Sequence, residues 1–135
     1  MAEYQPNLIL AATGSIIILP GTYGILYTDK YYGSISTLLL GLTSIGFHST
    51  HYHTLSLVDK FAIFNFVMSG YYHTYYDYSD KVFAQLVFAT IFNISVFFVG
   101  MKYNILCFDP DVRVQTFYHM LIHFFSADIA HKIFS

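Results

Sequence analysis

Charge is what this chain has least of. Of its 135 residues only 10% are charged, while 56% are hydrophobic, and the mean hydropathy is +0.52. A soluble domain carries about 25% charged residues, so an ordinary water-facing surface is excluded and an integral membrane protein is expected. The six Lys and Arg are scattered and the net charge is −2. Without a basic patch there is no electrostatic footprint for nucleic acid, and none is expected as a partner. The single cysteine, Cys107, excludes an internal disulfide. Tryptophan is absent, against 13 Tyr and 14 Phe. The tyrosines gather at segment ends (Tyr23, Tyr27, Tyr31, Tyr32, Tyr71, Tyr72, Tyr75, Tyr76, Tyr78), where an amphipathic ring suits the membrane–water interface. No positively charged stretch precedes the first apolar run, so that run reads as a retained span and not a cleavable signal peptide. Lipidation motifs and a C-terminal retention signal are also missing.

What is present is apolar sequence in long runs. Five segments, approximately 7–28, 32–50, 57–76, 81–102 and 114–134, are each of roughly the length needed to cross a bilayer core of about 30 Å. Thr28-Asp29-Lys30, Ser49 to Ser56, Asp77 to Lys81 and Asn104 to Arg113 separate them. The runs are continuous, whereas barrel strands would alternate apolar and polar residues. The expected fold is therefore all-α: one polytopic transmembrane domain, residues 1–135, with about five spanning helices. Pro20-Gly21 should kink the first segment, its freed backbone groups met by neighbouring helices. Gly33, Ser36, Gly41, Ser44 and Gly46 make the second rich in small residues, which favours close helix packing. Asp109-Pro110-Asp111 reads as a turn that opens the last helix. Lys60, Lys102 and Arg113 fall on one side of the membrane and Lys30, Lys81 and Lys132 on the other. The positive-inside rule thus selects neither orientation.

Polar and ionisable side chains inside a bilayer are costly and face a cavity or a partner. Ser44 and His48 lie four apart near the end of the second segment, Asp59 at the start of the third, and His119 and His123 four apart in the first half of the fifth. Residues i and i+4 share a helix face, so each pair aims at one point. If the segments alternate in direction, all five residues lie at similar depth near one membrane face. Three neutral imidazoles with one open position form a usual catalytic zinc arrangement, which makes His48, His119 and His123 the expected ligands of Zn2+. Bound zinc lowers the pKa of a water to about 7. Asp59 is placed to take that water's proton, and Ser44 to donate a hydrogen bond to a developing oxyanion. Other roles remain open for these two: helix packing through a small residue for Ser44, and a charge favoured by a helix N-terminus for Asp59. His51, His53 and His131 read as interfacial residues. His73 falls near the opposite interface, beyond reach of the site, and Asp128 has Lys132 one turn on as a partner.

These residues resemble a known family. Ser44-x-x-x-His48, Asp59 eleven residues on, and a late His119-x-x-x-His123 are similar to the pattern of the CREST superfamily of membrane hydrolases. That group includes the alkaline ceramidases, the progestin and adipoQ receptors, the haemolysin III proteins and GPI-anchor lipid-remodelling proteins. Phe47-His48-Ser49, Leu57-Val58-Asp59-Lys60 and Ser69-Gly70-Tyr71-Tyr72 resemble the haemolysin III and receptor branch, as does His119-Met-Leu-Ile-His123-Phe-Phe with His131 beyond it. The Ser–His–Asp spacing fits the ceramidases equally. The resemblance covers the second, third and last segments. It implies zinc on His48, His119 and His123, with Asp59 and Ser44 beside the bound water, and hydrolysis of a lipid amide such as ceramide. The family core has seven helices where this chain offers five segments. Removing a pair between the third and the last preserves direction, so the site still assembles. Self-association as a homo-oligomer would restore the lost walls.

Two further readings stand beside this one. A receptor-like or scaffold protein could keep the zinc for structure without turnover. A membrane di-iron lipid oxygenase is suggested by His48-x-x-His51-x-His53 with the later pair. It is disfavoured, because the chain has seven histidines and no adjacent His-His pair.

Overall fold

The structure, a computed structural model, describes residues 7–50, 52–77 and 79–134. The expected all-α fold is observed, with no strand among the described residues. Its helices are α1 (Leu8–Ile16), α2 (Ile18–Tyr27), α3 (Tyr31–Thr50), α4 (His53–Tyr76), α5 (Asp80–Tyr103) and α6 (Val112–Phe134), with a 3₁₀ turn at Leu106–Phe108 before the last. Each of the five apolar runs is thus a helix, the first in two pieces.

The break in the first run sits at Ile17, three residues before the proline expected to cause it. Pro20 has no N–H to give to the carbonyl of Ile16, and its ring crowds that oxygen. Accordingly α1 ends at Ile16, the Ile17 N–H turns back to Gly14 O at 3.2 Å, and Pro20 sits in the first turn of α2, the position a proline tolerates best. At the other end of α1, Asn7 caps the helix by accepting the Leu10 N–H at 3.1 Å.

Two stretches are long and apolar enough to cross a membrane, Leu8–Tyr27 and Asp80–Tyr103. Tyr, Ser, Thr, His and Asn dilute the apolar character of α3, α4 and α6. Many of the serines and threonines, with His48 and His123, are buried within the bundle, whereas most of the tyrosines face outward. The inner face of α3 is Gly33, Ser34, Ser36, Thr37, Leu40, Gly41, Thr43, Ser44 and His48. Its hydroxyls are satisfied by the helix itself: Ser34 donates to Lys30 O at 2.8 Å, Ser36 to Tyr32 O at 2.8 Å and Thr37 to Gly33 O at 2.7 Å. Small side chains that carry their own acceptor let backbones approach without stranding a polar group. Thus α3 lies against both pieces of the first run, Gly41 facing Ile18, Gly14 facing Ser44 and Gly21 facing the Ser34 backbone. On its other flank α3 meets α4, where Asn65 donates to Ser36 Oγ at 3.0 Å and accepts from Tyr32 at 3.2 Å.

The apolar core runs from Ile17 and Leu40 through Ala62, Phe66 and Leu86 to Ala127, Ile129, Ala130, Ile133 and Phe134. Phe134 is fully buried, edge-on to Phe66 at 6.2 Å and to His73 at 5.4 Å. His73 lies at this end of the bundle, as its position in sequence implies. There Nε2 accepts the Gly33 N–H at 3.1 Å, one of the first-turn donors of α3 that the helix leaves without an acceptor. Lys30 closes the same end, donating to Ile133 O at 2.7 Å and pairing with Asp77 at 3.1 Å. Asp128 pairs with Lys132 at 2.6 Å. By contrast α5 turns a row of large apolar side chains outward, Phe88, Ile91, Ile94 and Phe98 each being more than half exposed.

Close packing at Gly21 makes a direct prediction. A Cβ there would lie 2.9 Å from Ser34 O and 3.0 Å from Leu38 N, both rigid backbone, whereas one at Gly46 would meet only Leu55 Cδ1 at 3.8 Å. Gly21→Ala should cost about 1–3 kcal/mol. Gly46→Ala should leave stability unchanged or raise it by a few tenths of a kcal/mol or more, as Ala is the better helix former. Thermal unfolding of both variants in detergent checks the contrast.

Candidate metal centre

Three helices supply the centre. His48 comes from the last turn of α3, His119 and His123 from the first half of α6, and α1 lies across both. Because α1 and α6 start at the end where α3 finishes, Asn7, Thr13, Ser44, His48, Thr116, His119 and His123 share one level. Asn7 ties them together: its N–H donates to His48 O at 2.9 Å and its Nδ2 to Thr116 Oγ1 at 2.9 Å.

The expected meeting of the three histidines is observed. One ligand nitrogen from each lies within 4.8 Å of the others, forming a group that could hold a metal ion. The rings stand at 4.8 Å (His48–His119), 5.4 Å (His48–His123) and 5.5 Å (His119–His123), the first pair at 89°. His48 and His123 are buried, at 3% and 5% exposure. At Zn–N bonds of about 2.0–2.1 Å, tetrahedral ligands stand about 3.3–3.4 Å apart, so the nitrogens would draw inward to seat zinc. Neutral imidazoles from two helices suit zinc, copper, iron or nickel, and the donor set fits zinc without naming it.

Ser44, one turn before His48, is buried with Oγ 3.2 Å from His123 Nε2. The ring's other nitrogen, Nδ1, lies 2.8 Å from Thr13 Oγ1. His123 is therefore held on both edges, by α1 and by α3. Asp59 stands apart from the nitrogen group. Its Oδ1 accepts from Thr43 Oγ1 at 2.9 Å, and Thr43 precedes Ser44, so the carboxylate is held on an adjoining face of α3. The structure thus brings Ser44, His48, His119 and His123 together and leaves Asp59 outside that group, held by Thr43.

Of the remaining histidines, His131 is exposed in the last turn of α6. His51 and the His53 side chain lie outside the described residues, as does Tyr78. Cys107 is buried in the 3₁₀ turn, where desolvation pushes its thiol up to about 12. A thiol held protonated is a poor nucleophile, and Cys107 is not part of the histidine group.

Thr13, Asn7 and Thr43 were not singled out from sequence. The depth pattern that gathers the histidines contains Asn7 and Thr13 as well, since the first segment begins on the same side. A threonine inside an apolar run, however, ordinarily bonds its own helix, as Thr13 also does with Leu10 O at 3.1 Å.

Compared with family models, with curated proteins and with solved structures, the chain matches none.

A metal that binds the folded protein alone stabilises it by mass action, about 2.7 kcal/mol at a hundredfold excess over Kd. Adding Zn2+ to the metal-stripped protein should raise the unfolding temperature, and His119→Ala and His123→Ala should each abolish that rise. Calorimetry with matched elemental analysis, giving about one metal per chain in the parent only, checks both.

Proposed function

We propose that the chain is a multi-pass integral membrane protein, its five helical runs each crossing the bilayer, and that it is a zinc-dependent lipid amidase of the CREST type acting on ceramide or a related lipid. The convergence of His48, His119 and His123 within 4.8 Å, with Ser44 at 3.2 Å from one of them, carries the reading. Imidazoles brought from separate helices into one cluster of this kind suit a shared metal ligand. Outward-facing Phe61 and Phe64 on α4 and Phe88 and Phe98 on α5, each more than half exposed, support lipid as the surrounding medium.

Zinc on three imidazoles would keep a fourth position for water and bring that water's pKa to about 7. The chain's own residues would do the rest. The Asp59 carboxylate, which accepts from Thr43, would take a proton and pass it to the departing amine once brought up to the cluster. Ser44 Oγ can donate to the amide oxygen as negative charge builds on it. Exclusion of bulk water by the surrounding helices strengthens both interactions.

A structural metal without turnover is the second reading, favoured by the cavities. One of about 200 Å³ is lined by Gln85, Phe88, Phe125, Asp128 and Lys132, and another of about 140 Å³ by Lys30, His73, Asp77 and Ser79. Neither is lined by His48, His119 or His123, so neither offers a lipid a place beside the metal centre.

Asp59→Asn separates these readings. The variant keeps the Thr43 hydrogen bond and loses the base. In an amidase, release of fatty acid from ceramide in mixed micelles should fall about 10²–10⁴-fold while zinc content stays the same. Equal turnover by parent and variant would sink the role given to Asp59, and no turnover by the zinc-loaded parent would favour the structural metal.

A further inference from the structure

The His123 ring is met at both of its nitrogens, and one of the two partners comes from outside the ligand-bearing helices. Thr13 Oγ1 stands 3.1 Å from Leu10 O and 2.8 Å from His123 Nδ1, while Ser44 Oγ stands 3.2 Å from His123 Nε2. A hydroxyl has one proton to give, a carbonyl only accepts, and a neutral imidazole has one N–H and one lone pair. If Nδ1 carries the proton, three hydrogen bonds form: Thr13 to Leu10 O, His123 Nδ1–H to Thr13 Oγ1, and Ser44 to His123 Nε2. If Nε2 carries it, Thr13 must donate to Nδ1, the Leu10 bond is lost, and only two remain. In a buried site every bond left unmade costs roughly 1–3 kcal/mol, so the first arrangement prevails.

Resting on the metal centre proposed above, we infer that Thr13 is a positioning residue: it fixes His123 as the Nδ1–H tautomer and so makes Nε2 the ligand nitrogen. Metal-bound histidines are generally oriented by a partner on the opposite ring nitrogen, and here the first helix supplies it. Ser44 has a second consequence in this arrangement. In the metal-free chain its hydroxyl is donated to the lone pair the metal requires, so it acts as a stand-in for the ion. With Nε2 taken by a metal, that hydroxyl would be free to donate to another acceptor. Thr13 and Ser44 thus hold one ring from opposite edges, the first permanently and the second only until metal arrives.

The test reads the tautomer directly and does not depend on catalysis. Imidazole nitrogen and Cδ2 NMR shifts of His123, recorded on metal-stripped full-length protein at mildly alkaline pH and assigned by His123→Gln, should report Nδ1–H in the parent. Thr13→Val keeps the branched shape and removes the hydroxyl. It should convert His123 to Nε2–H or a mixture and weaken Zn2+ binding by about 10–100-fold in chelator competition. Thr13→Ser should restore both, which a packing role for the methyl group would not allow. An Nε2–H ring in the parent, or unchanged shifts in Thr13→Val, overturns the inference. A parent with the Nδ1–H ring and no zinc affinity leaves the tautomer assignment standing and overturns the metal centre instead.

Discussion

Close approach of α3 to the broken first run is the contact on which the rest of the molecule depends. Gly41 against Ile18 and Gly21 against the Ser34 backbone leave no room for an added Cβ, and Gly14 against Ser44 leaves little. Dispersion between closely packed backbones contributes to the attraction at such a contact. Once α1 and α3 are that near, Ser44 and Thr13 face each other across a gap that one imidazole fills. α6 supplies it. Had the interface been built of leucines, the helices would stand farther apart and His123 would reach one hydroxyl and miss the other.

The polar content of these helices follows from the same constraint. A bundle that must bring backbones together cannot fill its interior with large apolar residues. It uses Ser and Thr, and each needs an acceptor. Self-bonding to a carbonyl three or four residues back solves this along α3, while Asn65 with Ser36 and Tyr32 solves it between α3 and α4. Asn93 Oδ1 on α5 is the exception among the described residues, a buried acceptor with no hydrogen-bond partner. Nothing else on the α5 surface explains that side chain.

Much of this was legible in sequence, and the limits have physical causes. The five helical runs show as uninterrupted apolar stretches, and the meeting of His48 with His119 and His123 follows from helix periodicity plus alternating direction. Asp128 with Lys132 follows from i, i+4 spacing alone. The position of the break was displaced because a proline disrupts the turn before it, so the helix ends at Ile16 and not at Pro20–Gly21. Thr13, Asn7 and Thr43 were missed because a hydroxyl or amide has partners near in sequence, and only the fold shows that a distant one is used as well. His73 was placed at the correct end, but its work as acceptor for Gly33 depends on a backbone N–H from another helix, which no spacing rule reveals. Three of the five runs are less apolar than a membrane-crossing helix requires, and the buried Ser, Thr and His of α3, α4 and α6 contribute to that lower average.

The discontinuity at Ile17 divides the first run into a nine-residue piece bound to the histidine end and a ten-residue piece bound to the Phe134 end. A continuous helix transmits tilt along its whole length, whereas a run with a missing rung bends there first. In the membrane setting proposed above, strain from bilayers of differing thickness would be taken up at that joint. The short leading piece would then behave as a mount for the imidazole cluster, decoupled from the deformation of the membrane around it.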